Sequence, residues 1–269
     1  MKIMSYNIQN YENDWQTRIQ LIADVINDAG ADIVALNEVR GHFDGTANEA
    51  EVLQGALGGF WHLTTNEAMD YTPPEFQPPY VWEGLAILSR EQYPMLQTGS
   101  LALEQASGDL NRRILQFASF QVGGSPFYVF NYHATLDDGP WYDANLQEVL
   151  NYVKNHPGPA LLVGDLNQPH AEYFCGEGDV PPCIPPKLKP LESAGWQDLW
   201  MLYWDTPGHM DVGYTWPLGE NQSPSKRLDY QWATKNILDQ FVSIDKLAEN
   251  PVNGMYLSDH AALISEFNF

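Results

Sequence analysis

The chain has 269 residues, enough for one large domain or two small ones with a sizeable buried core. Apolar residues make up 44%, with 9 Trp and 14 Tyr, which excludes a disordered chain, and no apolar run approaches the roughly 20 residues that span a bilayer. A formal net charge of -22 argues against a protein that grips nucleic acid through a broad basic face, yet leaves room for an enzyme that touches phosphates locally through a bound metal and a few arginines.

Lys2–Ile8 (KIMSYNI) predicts a strand ending at Asn7, so no signal peptide is visible at the start. Trp15, Ile19, Ile22 and Ile26 recur at helical spacing, and Gly30 ends that helix. Asp32–Leu36 (DIVAL) is an apolar, β-branched run and predicts a buried strand that terminates in Asn37-Glu38-Val39-Arg40. Strand, helix and strand within about 35 residues predict a crossover unit with its helix outside a sheet. Ala47–Leu57 predicts a second helix. Asn66–Pro79, with its TPPEFQPPY, predicts a surface loop beside the functional face. Glu83–Arg90 predicts a strand. Arg113–Val122 and Phe127–Tyr132 predict a hairpin turned by Gly123-Gly124-Ser125-Pro126, whose second strand runs straight into His133.

Leu146, Val149, Leu150 and Val153 mark a further helix, stopped by His156-Pro157-Gly158. Ala160–Val163 then predicts a buried strand ending at Gly164, with Asp165 and Asn167 following two positions apart. Residues so spaced point the same way in extended chain, into the cleft beyond a strand's carboxyl end. Cys175 and Cys183 bracket a Gly/Pro-rich loop and predict a local disulfide in an oxidising compartment, which favours a secreted or periplasmic location. Lys187–Ala194 predicts a short helix stopped by Gly195. Tyr214–Pro217, Arg227–Trp232, Phe241–Ile244 and Ala261–Phe267 predict late strands, the last preceded by Ser258-Asp259-His260. Trp216 and Trp232 are expected in the core. With no internal repeat and no linker, residues 1–269 are expected to form a single domain. Crossovers mixed with hairpins predict two packed mixed sheets flanked by helices.

Polar residues gather at the strand ends: Asn7, Glu38, Glu83, His133, Asp165, Asn167, Asp229, Asp259 and His260. Carboxylates converging on one cleft repel one another unless positive charge sits among them. Hard oxygen donors without clustered Cys or His suit Mg²⁺, Mn²⁺ or Ca²⁺ rather than a structural zinc. Two histidines, each able to pair with an acid, suit proton transfer near neutral pH.

The order and wording of these motifs resemble the endonuclease/exonuclease/phosphatase superfamily, with the likeness strongest to its pancreatic-type deoxyribonucleases. It is carried by KIMSYNIQN, LNEVR, the strand Glu83–Arg90, FNYHATLDD, GDLNQP, RLDYQW and SDHAAL, in consistent order from residue 2 to residue 265. The resemblance implies a four-layer α/β sandwich. By position, it implies that Glu38 binds the divalent metal with Asn7 beside it, and that Asp259 takes part in metal or water binding. It implies an acid–base pair of His260 oriented by Asp229 and His133 oriented by Glu83. Asp165 would orient the attacking water or hold a second metal, and Asn167 would donate to the phosphoryl oxygens. Arg40 and Arg112 or Arg113 would touch substrate phosphates, because a guanidinium fork matches phosphate geometry. The expected activity is metal-dependent cleavage of phosphodiesters by a monomer, DNA first. The alternative is a lipid phosphodiester or an inositol or other small phosphate ester, which the acidic surface and aromatic loop suit better.

Overall fold

A computed structural model of the chain describes residues 1–70, 80–105, 111–136, 139–170, 184–204 and 211–269. The first sheet contains β1 (Lys2–Asn7), β2 (Ile33–His42), β3 (Trp61–Asp70), β4 (Val81–Arg90), β11 (Phe241–Leu247) and β12 (Ala262–Phe267), in the order β11-β12-β1-β2-β4-β3. The second contains β5 (Gln97–Ala102), β6 (Ile114–Val122), β7 (Ser125–Tyr132), β8 (Ala160–His170), β9 (Trp196–Asp198) and β10 (Arg227–Thr234), in the order β5-β6-β7-β8-β10-β9. Each sheet has one parallel pair at its centre, β1 with β2 and β7 with β8, and antiparallel pairs elsewhere. The two parallel pairs are joined through α1 (Trp15–Ala29) and α3 (Pro140–Lys154), as a parallel connection requires. The two sheets therefore repeat one pairing pattern that leaves no trace as a sequence repeat.

Helix α1 forms on Ile19, Ile22 and Ile26, which are fully buried, and ends where Gly30 turns left-handed at φ 65°. It packs with α2 (Glu49–Leu57) on the outer face of the first sheet. Helices α3 and α4 (Lys189–Ser193) cover the outer face of the second. A third apolar cluster, with Ile3, Ile33, Ile87, Phe120, Val129, Leu161 and Leu263 buried, fills the space between the sheets, so the expected four layers are present.

Several elements differ from the expected ones. Asn66–Asp70 is not a loop: it continues β3, whose residues pair with β4 through Asp70 opposite Trp82. Residues 71–79 lie outside the described residues, as do Cys175, Cys183 and the disulfide expected between them. The stretch 214–217 is not a strand. It holds a single bridge, Trp216 to Lys226, because Pro217 has no N–H to continue a ladder. The polar strand β5, the three-residue β9 and α5 (Leu199–Trp204) carry no period long enough to read from sequence.

The seam between the sheets is polar at one place. Asn37 Nδ2 donates to Asn131 Oδ1 at 2.9 Å, and Asn131 Nδ2 donates onward to Gln116 Oε1 and to the carbonyls of Leu36 and Ala86. All three side chains are fully buried, and such a satisfied network fixes one register between the layers. It also reaches the functional end of the molecule, since Asn37 Oδ1 accepts from the Asp165 N–H at 2.8 Å. Gly164 makes this approach possible: at φ 128°, a Cβ there would meet the carbonyl oxygen of Tyr132 and lie 2.8 Å from Asn37 Oδ1. Gly164→Ala should therefore cost about 3 kcal/mol or more in denaturant unfolding; a loss under about 1 kcal/mol would contradict the close approach.

Candidate active site

Strand β8 does not stop at Gly164 as expected. It runs to His170, with Gly164 and Asn167 at positive φ, so the pleat is broken where the functional side chains begin. Asp165 is buried at the head of a cleft of about 730 Å³, and Asn167 lines the same cleft. On the first sheet, β2 is bulged between Leu36 and Val39, and Glu38 sits in the bulge at φ 56°. A bulge re-aims the side chain it carries, and Glu38 faces the cleft. His133 leaves the end of β7, and Asp259 and His260 lie just before β12. The site thus forms at the same end of both sheets.

The central group is Asp165. His133 Nε2 and His260 Nε2 both lie 3.7 Å from Asp165 Oδ2. Asn7 Nδ2 donates to the same oxygen at 3.1 Å and to Glu38 Oε1 at 2.9 Å. The Asn167 N–H donates to Asp165 Oδ1 at 2.9 Å, while Asn167 Nδ2 donates one hydrogen to the Ala134 carbonyl. His260 Nδ1 meets Asp229 Oδ2 at 2.8 Å, as the resemblance implies. Glu38, His133 and Asp165 offer ligand atoms within 4.8 Å of one another, as do Asp165, Asp229 and His260.

Several of the assigned roles are corrected. Glu83 does not orient His133. Directly opposite Arg40 in the β2–β4 ladder, its carboxylate accepts from Arg40 Nη2 at 3.4 Å, and both side chains are buried. The same pairing places Arg40 behind the cleft wall, not in it. Asn7 presents its amide nitrogen to the two acids, while its Oδ1 accepts from the Gln9 N–H; in this arrangement it steadies the carboxylates. Arg113 lines the cleft, whereas Arg112 is exposed in a neighbouring hollow with Phe43 and Glu67. Asp259 reaches the cleft and is held there by the indole N–H of Trp216 at 3.1 Å. Trp216 is therefore a wall of the site and not core, while Trp232 is buried as expected. Asn10, the last residue of KIMSYNIQN, was missed as a site residue: it donates to Glu38 Oε2 at 3.1 Å.

Charge states follow from these contacts. Burial, then the nearby Glu83, raises the Glu38 carboxyl to about 7, against the Asn7 hydrogen bond. Burial likewise raises Asp165 to about 6, with His260 pulling it down and Asp229 pushing it up. Burial holds His133 well below its usual value, helped by Arg113 and His260, so its imidazole is neutral near pH 7. Burial would do the same to His260, but the carboxylates of Asp229 and Asp165 outweigh it and raise His260 to about 10. Two histidines a few ångströms apart thus hold opposite charge states.

The donor set fits a divalent cation. The carboxylates of Glu38 and Asp165 converge, and burial pushes both toward protonation, which a bound positive charge would relieve. The sign of the linkage is definite. Without cation the folded protein keeps the Glu38 proton to about pH 7 and the unfolded chain loses it near 4.5. The stabilisation is full below pH 4.5 and fades as pH rises through 7. The gain in Tm from saturating Mg²⁺ should accordingly be larger at pH 8 than at pH 5 in thermal scans; equal gains would contradict this placement of the cation.

Acids beside one neutral and one cationic histidine, at the mouth of two packed mixed sheets, are the equipment a phosphoesterase needs to hold a cation and move protons. The chain belongs to the Endonuclease/Exonuclease/phosphatase family, whose sequence profile matches residues 4–260, and whose members are divalent-metal-dependent phosphoester hydrolases. Among curated proteins none matches the sequence. An endonuclease/exonuclease/phosphatase family protein from Leptotrichia buccalis superposes with a TM-score of 0.77 at 19% identity, covering 100% of both chains. Truncated TDP2 from Caenorhabditis elegans superposes with a TM-score of 0.67 at 19% identity over 99% of this chain and 97% of its own. The mannosyl-6-phosphatase of Bacteroides thetaiotaomicron gives 0.71 at 16% identity, covering 100% of both. At these identities the structures share the fold.

Proposed function

We propose that this protein is a monomeric, single-domain, Mg²⁺-dependent phosphodiesterase that cuts DNA internally with little sequence preference. The observation that carries the reading is the pair of histidines in opposite charge states, each 3.7 Å from Asp165. Water attack on phosphorus needs a proton acceptor on one side and a donor for the departing oxygen on the other. Neutral His133, with Asp165 beside it, takes the proton from the attacking water as the oxygen–phosphorus bond forms. Cationic His260, held by Asp229, gives its Nε2 proton to the departing oxygen as the opposite bond breaks. Asn167 keeps its second amide hydrogen for a phosphoryl oxygen, and Arg113 supplies fixed positive charge at the cleft. Glu38 with Asp165 would hold a divalent cation, which would supply Lewis-acid polarisation of a phosphoryl oxygen.

A second reading, hydrolysis of a lipid or small phosphate ester, is favoured by the net charge of -22 and by Leu136, which lines the cleft while 72% exposed. Rates on supercoiled plasmid, sphingomyelin vesicles, inositol phosphates and a sugar phosphate, all at one Mg²⁺ concentration, separate the two. The highest kcat/KM on plasmid supports the DNA reading. A preference of a hundredfold or more for one of the others overturns it.

A further inference from the structure

We infer that Arg18, a residue of α1 outside the cleft, is the positioning residue that joins the cation side of the site to the His260 side. This rests on the cation being held at Glu38, as proposed above. Arg18 is 1% exposed, and its guanidinium makes no ion pair among the described residues. Its donors go to backbone carbonyls instead. Nη1 donates to Ile8 O at 2.6 Å and Leu257 O at 2.7 Å. Nη2 donates to Asn10 O at 2.7 Å, Glu12 O at 2.8 Å and Gln9 O at 3.2 Å, and Nε donates to Glu12 O at 3.1 Å. Burying a cation with no carboxylate in direct contact is unfavourable even though the charges of Glu49, Asp259 and Glu12 partly offset it, so a helix anchor alone is served better by an apolar side chain. What Arg18 does that an apolar residue does not is gather carbonyls from two separate segments onto one plane.

Both segments carry functional groups. Residues 8–12 include Gln9 and Asn10 at φ 54° and 39°, unfavourable values for non-glycine residues, and their carbonyls turn inward to Arg18. The same loop is fastened to the Glu38 bulge: the Asn10 N–H donates to Glu38 O at 3.1 Å and Asn10 Nδ2 to Glu38 Oε2 at 3.1 Å. Leu257, the other segment, directly precedes Ser258, whose Oγ donates to Asn7 O at 2.7 Å and accepts from the His260 N–H at 3.1 Å. Glu38 and His260 thus rest on one guanidinium. Groups that orient a metal ligand typically govern affinity by 10- to 100-fold, and displacement of His260 lowers turnover.

The test compares wild type, Arg18→Gln, Arg18→Lys and Ile22→Ala. Ile22→Ala opens a cavity on the same helix and removes none of the Arg18 hydrogen bonds, and so reports what destabilisation alone does. Mn²⁺ binding is read by calorimetry below each variant's Tm, and plasmid nicking gives kcat and KM. The expected result is a Kd for Mn²⁺ raised about tenfold or more in Arg18→Gln, with kcat lowered and KM little changed. Arg18→Lys should fail to restore binding, because one ammonium cannot span both segments, and Ile22→Ala should bind as wild type. Mn²⁺ binding within about twofold of wild type in either folded Arg18 variant overturns the inference, as does an equal loss in Ile22→Ala. If Arg18→Gln does not fold, Arg18→Lys against Ile22→Ala decides alone. Wild type that binds no Mn²⁺ would instead sink the cation reading itself.

Discussion

Replacing His260 with alanine should lower kcat by about 10³- to 10⁴-fold while the protein stays folded and still binds its cation. The expectation rests on contacts at both ring nitrogens. Nδ1 is fixed by Asp229 at 2.8 Å, and Nε2 lies 3.7 Å from Asp165, facing the cleft. With both carboxylates beside it the ring is charged across the physiological range, so the loss removes a donor and a positive charge at the reacting oxygens. Alanine here also leaves two buried acids facing each other across β8 and β10, where Asp229 is directly opposite Asp165. The variant should therefore be less stable at pH 8 than at pH 5, a side effect that thermal scans detect. Asp229→Asn should give part of the same kinetic loss, because the ring then loses both its orienting acceptor and much of its charge. Activity within tenfold of wild type in His260→Ala would place the chemistry elsewhere.

The second large effect is expected at Glu38. Glu38→Gln keeps the side chain's size and accepts from one of Asn7 and Asn10, its other terminal atom being a donor, and it removes the negative charge. Cation-dependent turnover should fall by about 10³-fold or more, and Mn²⁺ binding should weaken to the same order. Stability should move the opposite way. The carboxyl is raised from 4.5 to about 7, so its ionised form is unfavourable in the folded protein above that pH. Without cation, Glu38→Gln should be more stable than wild type at pH 8 by about 1–3 kcal/mol, and nearly equal to it at pH 4.5. Lost function with gained stability is the mark of acids held together for binding and not for folding. A variant that loses both would make Glu38 a structural acid.

Much of this site is legible in the sequence because strand ends are. Short apolar runs end at Asn7, Asn37-Glu38, His133 and Asp165, and an α/β sheet must put those ends together. The His260–Asp229 pair was expected from the family resemblance, and the two side chains do meet. What is not legible is cross-strand register. Glu83 and Arg40 are 43 positions apart, and only the bulge at Glu38 sets them opposite each other. That bulge turned an expected His133 partner into a partner of Arg40. Asn10 and Arg18 act through a loop of positive-φ residues, which no period announces. The inter-sheet seam did leave a signal: Asn37, Gln116 and Asn131 each follow or interrupt an apolar run within their strands, and a buried amide in such a place implies a partner across the layer. In β3, Asn66 and Glu67 read as loop because strand propensity is weaker than the pull of pairing with a buried neighbour such as β4.

The central claim is that hydrolysis takes place in the cleft between Glu38 and His260 and requires a divalent cation. The most direct test is cleavage of supercoiled plasmid DNA by wild type in Mg²⁺ or Mn²⁺ and in EDTA, with His260→Ala alongside at equal folded concentration. Nicking that needs the cation and disappears in the variant is the predicted result. Nicking that persists in EDTA or in His260→Ala, or plasmid left intact by folded wild type at high concentration, would contradict it.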